Sequence, residues 1–375
     1  MTRAYGSISA TGGNGGFVEI SGKRGLLFEA QVDTTASAGA SGTLLLEPDT
    51  INIINGGGGS ADGSLPVFTA IGVTTISELT LEGQATDVIL EAADGIVLEN
   101  LADNQLTMSG LVNGESITLR MTGTGDITFQ DIADEIRTSG GDINLEALGT
   151  GNLANIDDLT SIAGNGGDIS LTSTNGNVYL QGLVQSTGTT SGDVFITAGG
   201  SVTSATPVAA VQANRLKILA GTGISLDVAG TTNRIQQLTA SNTTSGNINF
   251  TNSFGLLTLA PNATAFAVSN TASNGFITIE ATGIGAALTT AGLVQAPTGT
   301  GNQLLLKTLG LLTIGAGSNV QTLGTVSFIA ADQDIQAPVS ASTIEVKGFA
   351  AGNLLLGAAN AIGNGTLELS QADIS

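Results

Sequence analysis

Acidic or amide side chains recur directly after a glycine along much of the chain. These side chains belong to Asp126, Asp142, Asp168, Asp193, Asn247 and Asn302. If successive repeats stack in register, their oxygens form a column, and oxygen is the ligand that Ca²⁺ prefers. The alternative is that each side chain caps its own turn through hydrogen bonds to the backbone. The two asparagines and the irregular intervals favour the second interpretation. We therefore predict structural turn positions and no metal site.

Carboxylates close together in sequence raise the question of catalysis. Enzymes that cleave sugars need two or three carboxylates at fixed separations. Acidic residues are densest at 131–135, 157–158 and 332–334. The pattern predicts that all three groups lie at corners, not at matched strand positions of adjacent repeats. Asp332 and Asp334 are the best candidates for a catalytic pair, but we predict no catalytic residues and no enzyme activity.

Composition excludes several other kinds of chemistry. The chain has no His, Cys or Trp, so it has no imidazole base, no thiol and no zinc or iron site built on nitrogen or sulfur ligands. The formal net charge of −21, with only 10 basic residues, gives nucleic acid no electrostatic partner. No apolar stretch reaches the roughly 18 residues that a spanning helix needs. We predict no cofactor, no nucleic-acid binding and no membrane insertion.

A short phrase repeats about every 26 residues and indicates the fold class. It consists of Gly, then Asp or Asn, then alternating aliphatic and small polar residues, as at 141–147, 167–173 and 192–198. A second alternating phrase follows about nine residues later, and a third apolar segment closes most repeats. Alternation over a few residues is typical of half-buried strands, and the boundary residues are typical of turns. Each repeat therefore carries three short strands.

Strands this short cannot bury their apolar faces alone, but repeats stacked as coils bury them together. The sequence thus predicts an all-β protein, a parallel β-helix (β-solenoid) of about 14 coils with three short strands per coil. The residues predicted to face inward are Ile169, Leu171, Val194 and Ile196. The residues predicted to face outward are Ser170 and Thr172.

The repeats also predict how the chain is organised. Residues 1–54 are predicted to form N-terminal coils, and residues 55–66 a glycine-rich loop. Residues 67–140 are predicted to form less regular coils, including a strand at 76–83, and residues 141–375 the regular repeats.

The N-terminal part of the sequence resembles a known group of proteins. The run at 13–23 (GNGGFVEISGK), then Val32 and Asp33, then 42–48 (GTLLLEP) is similar to the filamentous-haemagglutinin-like large exoproteins of two-partner secretion, especially cyanobacterial members. The resemblance implies a right-handed β-helix that is secreted through an outer-membrane partner transporter. It also implies adhesion at the cell surface, outside the outer membrane of a Gram-negative or cyanobacterial cell.

The chain departs from that group in one respect. The secretion domain with its N-P-N-type motif is absent, so we expect an internal fragment that is not exported alone. The expected function is a non-catalytic structural shaft segment of a surface adhesin or fibre-forming exoprotein. The alternatives are a glycan-binding module and a polysaccharide-active enzyme on the same scaffold. Self-association and surface glycans are further candidate partners. An enzyme requires carboxylates that converge in one groove, whereas a shaft has smooth polar faces.

Overall fold

The structure is a computed structural model that confirms the predicted parallel β-solenoid. The residues that it describes are 2–22, 25–56, 73–112, 114–162, 166–187, 192–230, 232–297, 299–348, 354–356 and 367–369. The fold is all-β with a helix content of 2%. The strands stack in about 12 coils, fewer than the predicted 14 or so. Coil length explains part of the difference, because Thr43 pairs with Asp87, so that one coil takes 44 residues. Contacts divide the chain into two compact units, 1–199 and 200–375.

The N-terminal unit is built from short strands and one helix of a single turn. They are β1 (Thr2–Ser9), β2 (Phe17–Gly22), β3 (Leu26–Asp33), β4 (Thr43–Pro48), β5 (Thr50–Ile54), β6 (Val73–Ser77), α1 (Glu78–Glu82), β7 (Asp87–Ala92), β8 (Gly95–Leu98), β9 (Gln105–Met108), β10 (Ser116–Met121), β11 (Ile127–Phe129), β12 (Glu135–Thr138), β13 (Asp142–Ala147), β14 (Leu153–Ile156), β15 (Asp158–Ile162), β16 (Ile169–Ser173), β17 (Val178–Leu180), β18 (Leu183–Thr187) and β19 (Asp193–Ala198).

Three parallel ladders run through this unit. From β7 onward the chain visits them in the same order in each coil, whereas β5 and β6 follow each other in sequence and both lie in the second ladder. The first ladder is β2-β4-β7-β10-β13-β16-β19. The second is β6-β5-β8-β11-β14-β17. The third is β9-β12-β15-β18. At the N-terminal end, β1 pairs with β3.

Matched register along the first ladder produces the apolar core of the N-terminal unit. Leu145 pairs with Leu171, and Leu171 pairs with Ile196. All three side chains are at most 1% exposed. Ile169 and Val194 form the parallel column beside them, also buried. The predicted inward residues are therefore confirmed. Ser170 and Thr172 alternate with them and are half-buried on the outer side.

Helix α1 replaces part of the strand predicted at 76–83. Strand β6 ends at Ser77, and Glu78–Glu82 forms a helical turn. The turn buries Glu78 and Leu81, which are three residues apart and therefore share a helical face. Leu79 is 47% exposed. The Glu78 carboxylate accepts a hydrogen bond from the Gly56 N–H at 3.0 Å, so burial of this acidic residue is partly compensated.

The described residues of the C-terminal unit form strands joined by turns, with no helix. They are β20 (Val202–Ser204), β21 (Ala210–Ala220), β22 (Ile224–Leu226), β23 (Arg234–Asn242), β24 (Ile248–Asn252), β25 (Leu256–Leu259), β26 (Val268–Asn270), β27 (Ile277–Ala281), β28 (Ala287–Thr290), β29 (Leu293–Ala296), β30 (Gln303–Thr308), β31 (Leu311–Ile314), β32 (Asn319–Thr322), β33 (Thr325–Ala330), β34 (Asp332–Ile335), β35 (Val339–Ser340), β36 (Thr343–Gly348), β37 (Leu354–Leu356) and β38 (Leu367–Leu369).

This unit also has three parallel ladders. One is β20-β22-β24-β27-β30-β33-β36. The long strand β23 pairs with β21 and then contributes to two ladders, β23-β25-β28-β31-β34 and β23-β26-β29-β32-β35. Phe250 and Phe328, at most 1% exposed, fill the interior together with aliphatic side chains. Of the predicted glycine-rich loop at 55–66, residues 57–66 lie outside the described residues.

Candidate functional site

Three of the predicted turn positions, at the N-terminal ends of strands in the first ladder, stack on one another. Asp142 Oδ1 accepts a hydrogen bond from the Asp168 N–H at 2.8 Å, and Asp168 Oδ1 accepts one from the Asp193 N–H at 2.9 Å. Asp87 Oδ1 does the same for the Ser116 N–H at 2.7 Å. Each side chain therefore caps the following coil and not its own turn. Burial raises the pKa values of Asp87 and Asp142.

Asp126 belongs to a different set, at the N-terminal ends of strands in the second ladder. Its Oδ1 accepts the Asn152 N–H at 2.6 Å, and Asn152 Oδ1 accepts the Asn177 N–H at 2.9 Å. In the C-terminal unit, Asn247 Oδ1 accepts the Phe276 N–H at 2.9 Å. Sequence analysis missed Asn152 and Asn177, although both follow a glycine in the same way as the six chosen positions.

Asn302 does not take part in this arrangement. Strand β30 begins one residue later, at Gln303, and the Asn302 side chain is buried at a corner, where its Nδ2 donates to the Ala296 carbonyl at 2.8 Å. The six positions thus form several separate sets, and a single column of oxygen ligands does not exist. Among the described residues, no group of three or more acidic side chains is arranged to hold a metal ion.

Two acidic groups expected to lie apart meet at one corner of the N-terminal unit, which we call the acidic corner. It comprises Asp131, Asp134, Glu135, Asp157 and Asp158. Strands β12 and β15 pair with Glu135 opposite Asp158. The expectation that these groups avoid matched positions in adjacent coils is therefore wrong. Each acidic group directly precedes or begins its strand, so it follows the register of that strand.

Burial sets the chemistry of the acidic corner. Asp134 is 0% and Asp157 is 1% exposed, and the Oδ2 atom of each has no hydrogen-bond partner among the described residues. The Leu101 N–H donates to Asp134 Oδ1 at 3.2 Å. Burial, reinforced by the charges of Asp158 and Asp134, raises the pKa of Asp157 to about 7. Burial also raises the pKa of Asp134. Solvent does not reach either carboxyl group, so a substrate does not reach them either.

A second set of acidic residues lines an open pocket on the outer side of the first ladder. Glu47, Asp49 and Glu91 line it, together with Ser21, which pairs with Glu47. Next along the same side, Arg120 forms ion pairs with Glu91 at 3.3 Å and with Glu146 at 2.6 Å. Sequence analysis missed this pocket because Glu47 and Glu91 are far apart in the chain and only the stacking of coils brings them together.

Asp332 and Asp334, the best catalytic candidates in the sequence, lie on strand β34. Asp332 is 7% exposed at the start of β34. Asp334 Oδ2 accepts a hydrogen bond from Gln336 Nε2 at 2.5 Å. The residues opposite them on β31 are Leu311 and Thr313. The paired strand therefore supplies no second carboxylate to this pair.

Comparisons with known proteins add no further information about this site. No protein-family model, curated protein or solved structure matches the chain. Within the part of the chain that the structure describes, no helix has the length and apolar character needed to cross a membrane.

Proposed function

We propose that the chain is a non-catalytic structural shaft segment of a secreted surface adhesin or fibre-forming exoprotein. The proposal includes right-handed winding, export of the parent protein through an outer-membrane partner transporter, and a location outside the outer membrane. The observation that carries it is the continuity of the hydrogen-bonded ladders within each unit. Within each unit, parallel ladders and stacked apolar columns join successive coils of the described residues, which suits a part that transmits force or holds a distance.

Hydrogen bonds of buried polar side chains also support a mechanical role. In the N-terminal unit, Ser161 Oγ donates to the Gly141 carbonyl at 3.0 Å, and Ser186 Oγ donates to the Gly167 carbonyl at 2.6 Å. In the C-terminal unit, Asn242 Nδ2 donates to Asn270 Oδ1 at 3.1 Å. The two serine hydroxyl groups satisfy backbone carbonyl groups, and the asparagine pair satisfies two side-chain groups. Buried polar groups are costly when left unpaired.

The experiment is to stretch the full chain between terminal handles in an optical trap. A solenoid in which each coil contacts mainly its neighbours unfolds in several steps, because stability is a sum of local terms. We expect successive extensions that each release one or a few coils, and refolding when the force is removed. A single all-or-none event at low force would contradict the shaft proposal.

A polysaccharide-active enzyme is the second candidate, and the outer pocket lined by Glu47, Asp49 and Glu91 is the observation that favours it. Glycoside hydrolysis commonly uses a pair of carboxylates that flank the scissile bond. The ion pair from Arg120 to Glu91 gives the pocket a structural explanation as well. Polysaccharide turnover that disappears in the Glu47→Gln and Glu91→Gln variants would replace the shaft proposal with this one.

A further inference from the structure

The buried carboxyl groups of Asp134 and Asp157 lie at equivalent positions of adjacent coils. The residues that follow them, Glu135 and Asp158, are opposite each other in β12 and β15, and the Asp158 N–H donates to the Asp134 carbonyl at 3.2 Å. We infer that Asp134 and Asp157 form a proton-binding pair in which one carboxyl group is protonated, so that the packing of these two coils depends on pH.

The charged groups that act on the pair, as far as the described residues go, are acidic. The groups that act on Asp134 are Glu78, Asp103 and Asp131, and those that act on Asp157 are Asp131 and Asp158. Arg137, the nearest basic residue in sequence, pairs with Thr160 and alternates with the buried Ile136, which places it on the outer side of β12. On the other side of the corner, Gly182 lies directly against Asp157 and Asp158 and has no side chain to donate a hydrogen bond.

A proton resolves the two anomalies at this corner. The Oδ2 atom of each aspartate is buried and has no hydrogen-bond partner within the part of the chain that the structure describes. Two ionised carboxylates in adjacent coils also repel each other. A protonated carboxyl group supplies one donor and removes one charge, as in paired carboxylates that share a site. The raised pKa of Asp157, about 7, agrees with this arrangement.

The sign of the pH dependence follows from the direction of the shift. A carboxyl group whose pKa is higher in the folded than in the unfolded chain binds protons more tightly when folded. Stability therefore increases as the pH falls from above 7 towards 3.8, the ordinary pKa of an aspartate, and it decreases as the pH rises through about 7. The other ladder aspartates with raised pKa values, Asp87 and Asp142, act in the same direction, so a variant is needed to isolate the pair.

The test is urea unfolding of the full chain between about pH 5.5 and about pH 8.5. We expect the wild-type midpoint to rise on acidification. In Asp157→Asn, which carries a neutral group of the same size, we expect a higher midpoint at the alkaline end and a weaker pH dependence. The matched control is Asp94→Asn, which removes one charge at an exposed site in the same unit and should keep the wild-type slope.

Two results would overturn the inference. One is a slope in Asp157→Asn equal to that of the wild type. The other is a gain in midpoint on adding Ca²⁺ at the alkaline end that matches the effect of acid and is lost in Asp157→Asn, because a cation would then neutralise the pair. If Asp157→Asn does not fold, pH-difference infrared spectra of the wild type and of Asp134→Asn decide. We expect a protonated carboxyl band that titrates near neutrality in the wild type and is lost in the variant. Absence of this band in the wild type would contradict the inference.

Discussion

Side chains alternate between a buried and a more exposed environment along many of the strands, and Leu171 and Ser170 are a clear example. Leu171 is 0% exposed between Leu145 and Ile196, whereas Ser170 is half-buried on the outer side. Because alternate strand residues face opposite sides, a shift of one residue would exchange the two environments. This makes the pair a sensitive check of the register at the centre of the N-terminal unit.

We expect Leu171→Ala to lower the free energy of unfolding by about 2–5 kcal/mol, through lost burial and the cavity left behind. Ser170→Ala should change it by less than about 0.5 kcal/mol. Urea unfolding followed by far-UV circular dichroism measures both. If Ser170→Ala is the more damaging substitution, the inward and outward sets are exchanged, and if both are harmless, the segment is not part of a stable coil.

At the scale of the element, an Asp or Asn before a strand connects that strand to the coil that follows. The Asp168 carboxylate accepts the Asp193 N–H, and Asn152 and Asn247 use a side-chain amide oxygen in the same way. The acceptor atom, and not the charge, is the shared requirement. This explains why both residue types occur at these positions.

We therefore expect Asp168→Ala to cost about 1–3 kcal/mol, because it leaves a backbone N–H without its partner. Asp168→Asn should retain most of the stability, since its Oδ1 can accept the same hydrogen bond. Thermal unfolding of the two variants gives the comparison.

Millimolar Ca²⁺ should move the melting temperature of the wild type little. A large upward shift that Asp168→Ala abolishes would show that the position binds a cation, because ligand binding to the folded state stabilises it.

At the scale of the whole molecule, charge is distributed unevenly between the two units. Residues 1–199 contain 24 of the 31 acidic and five of the ten basic residues, for a formal net charge of −19, and residues 200–375 carry −2. Self-repulsion destabilises a compact state when the net charge is far from zero, and salt screens it. The N-terminal unit should therefore respond to ionic strength more than the C-terminal unit.

We expect amide hydrogen exchange in residues 1–199 to slow when NaCl is raised from about 0.02 M to about 0.5 M, with a smaller change in residues 200–375. Mass spectrometry of the exchanged full chain reports both units in one sample. Glucose at matched osmolality is the control for general solute effects. An equal change in the two units would show that repulsion between acidic residues is not what limits the N-terminal unit.

The sequence alone determined the fold class and the two faces of the regular strands, such as β16. Glycine, a polar turn residue and alternating aliphatic residues are local signals, so the strands and the inward positions of Ile169 and Leu171 follow directly from them. The same local rule, a polar residue directly after a glycine, also applies to Asn152 and Asn177. The helical turn at Glu78–Glu82 was not predicted, because Leu79 and Leu81 also fit strand alternation.

Only the tertiary structure decided which residues of different coils become neighbours. Asp126 and Asp142 follow the same sequence signal but begin strands in different ladders, whereas Glu135 and Asp158 meet across one ladder. Glu47 and Glu91 approach each other although 44 residues separate them. Coil lengths vary, so the number of residues between two positions does not fix their register. The hydrogen bonds between parallel strands fix it, and they form only when complete coils stack, which is why the acidic corner and its buried carboxyl pair are properties of the folded chain.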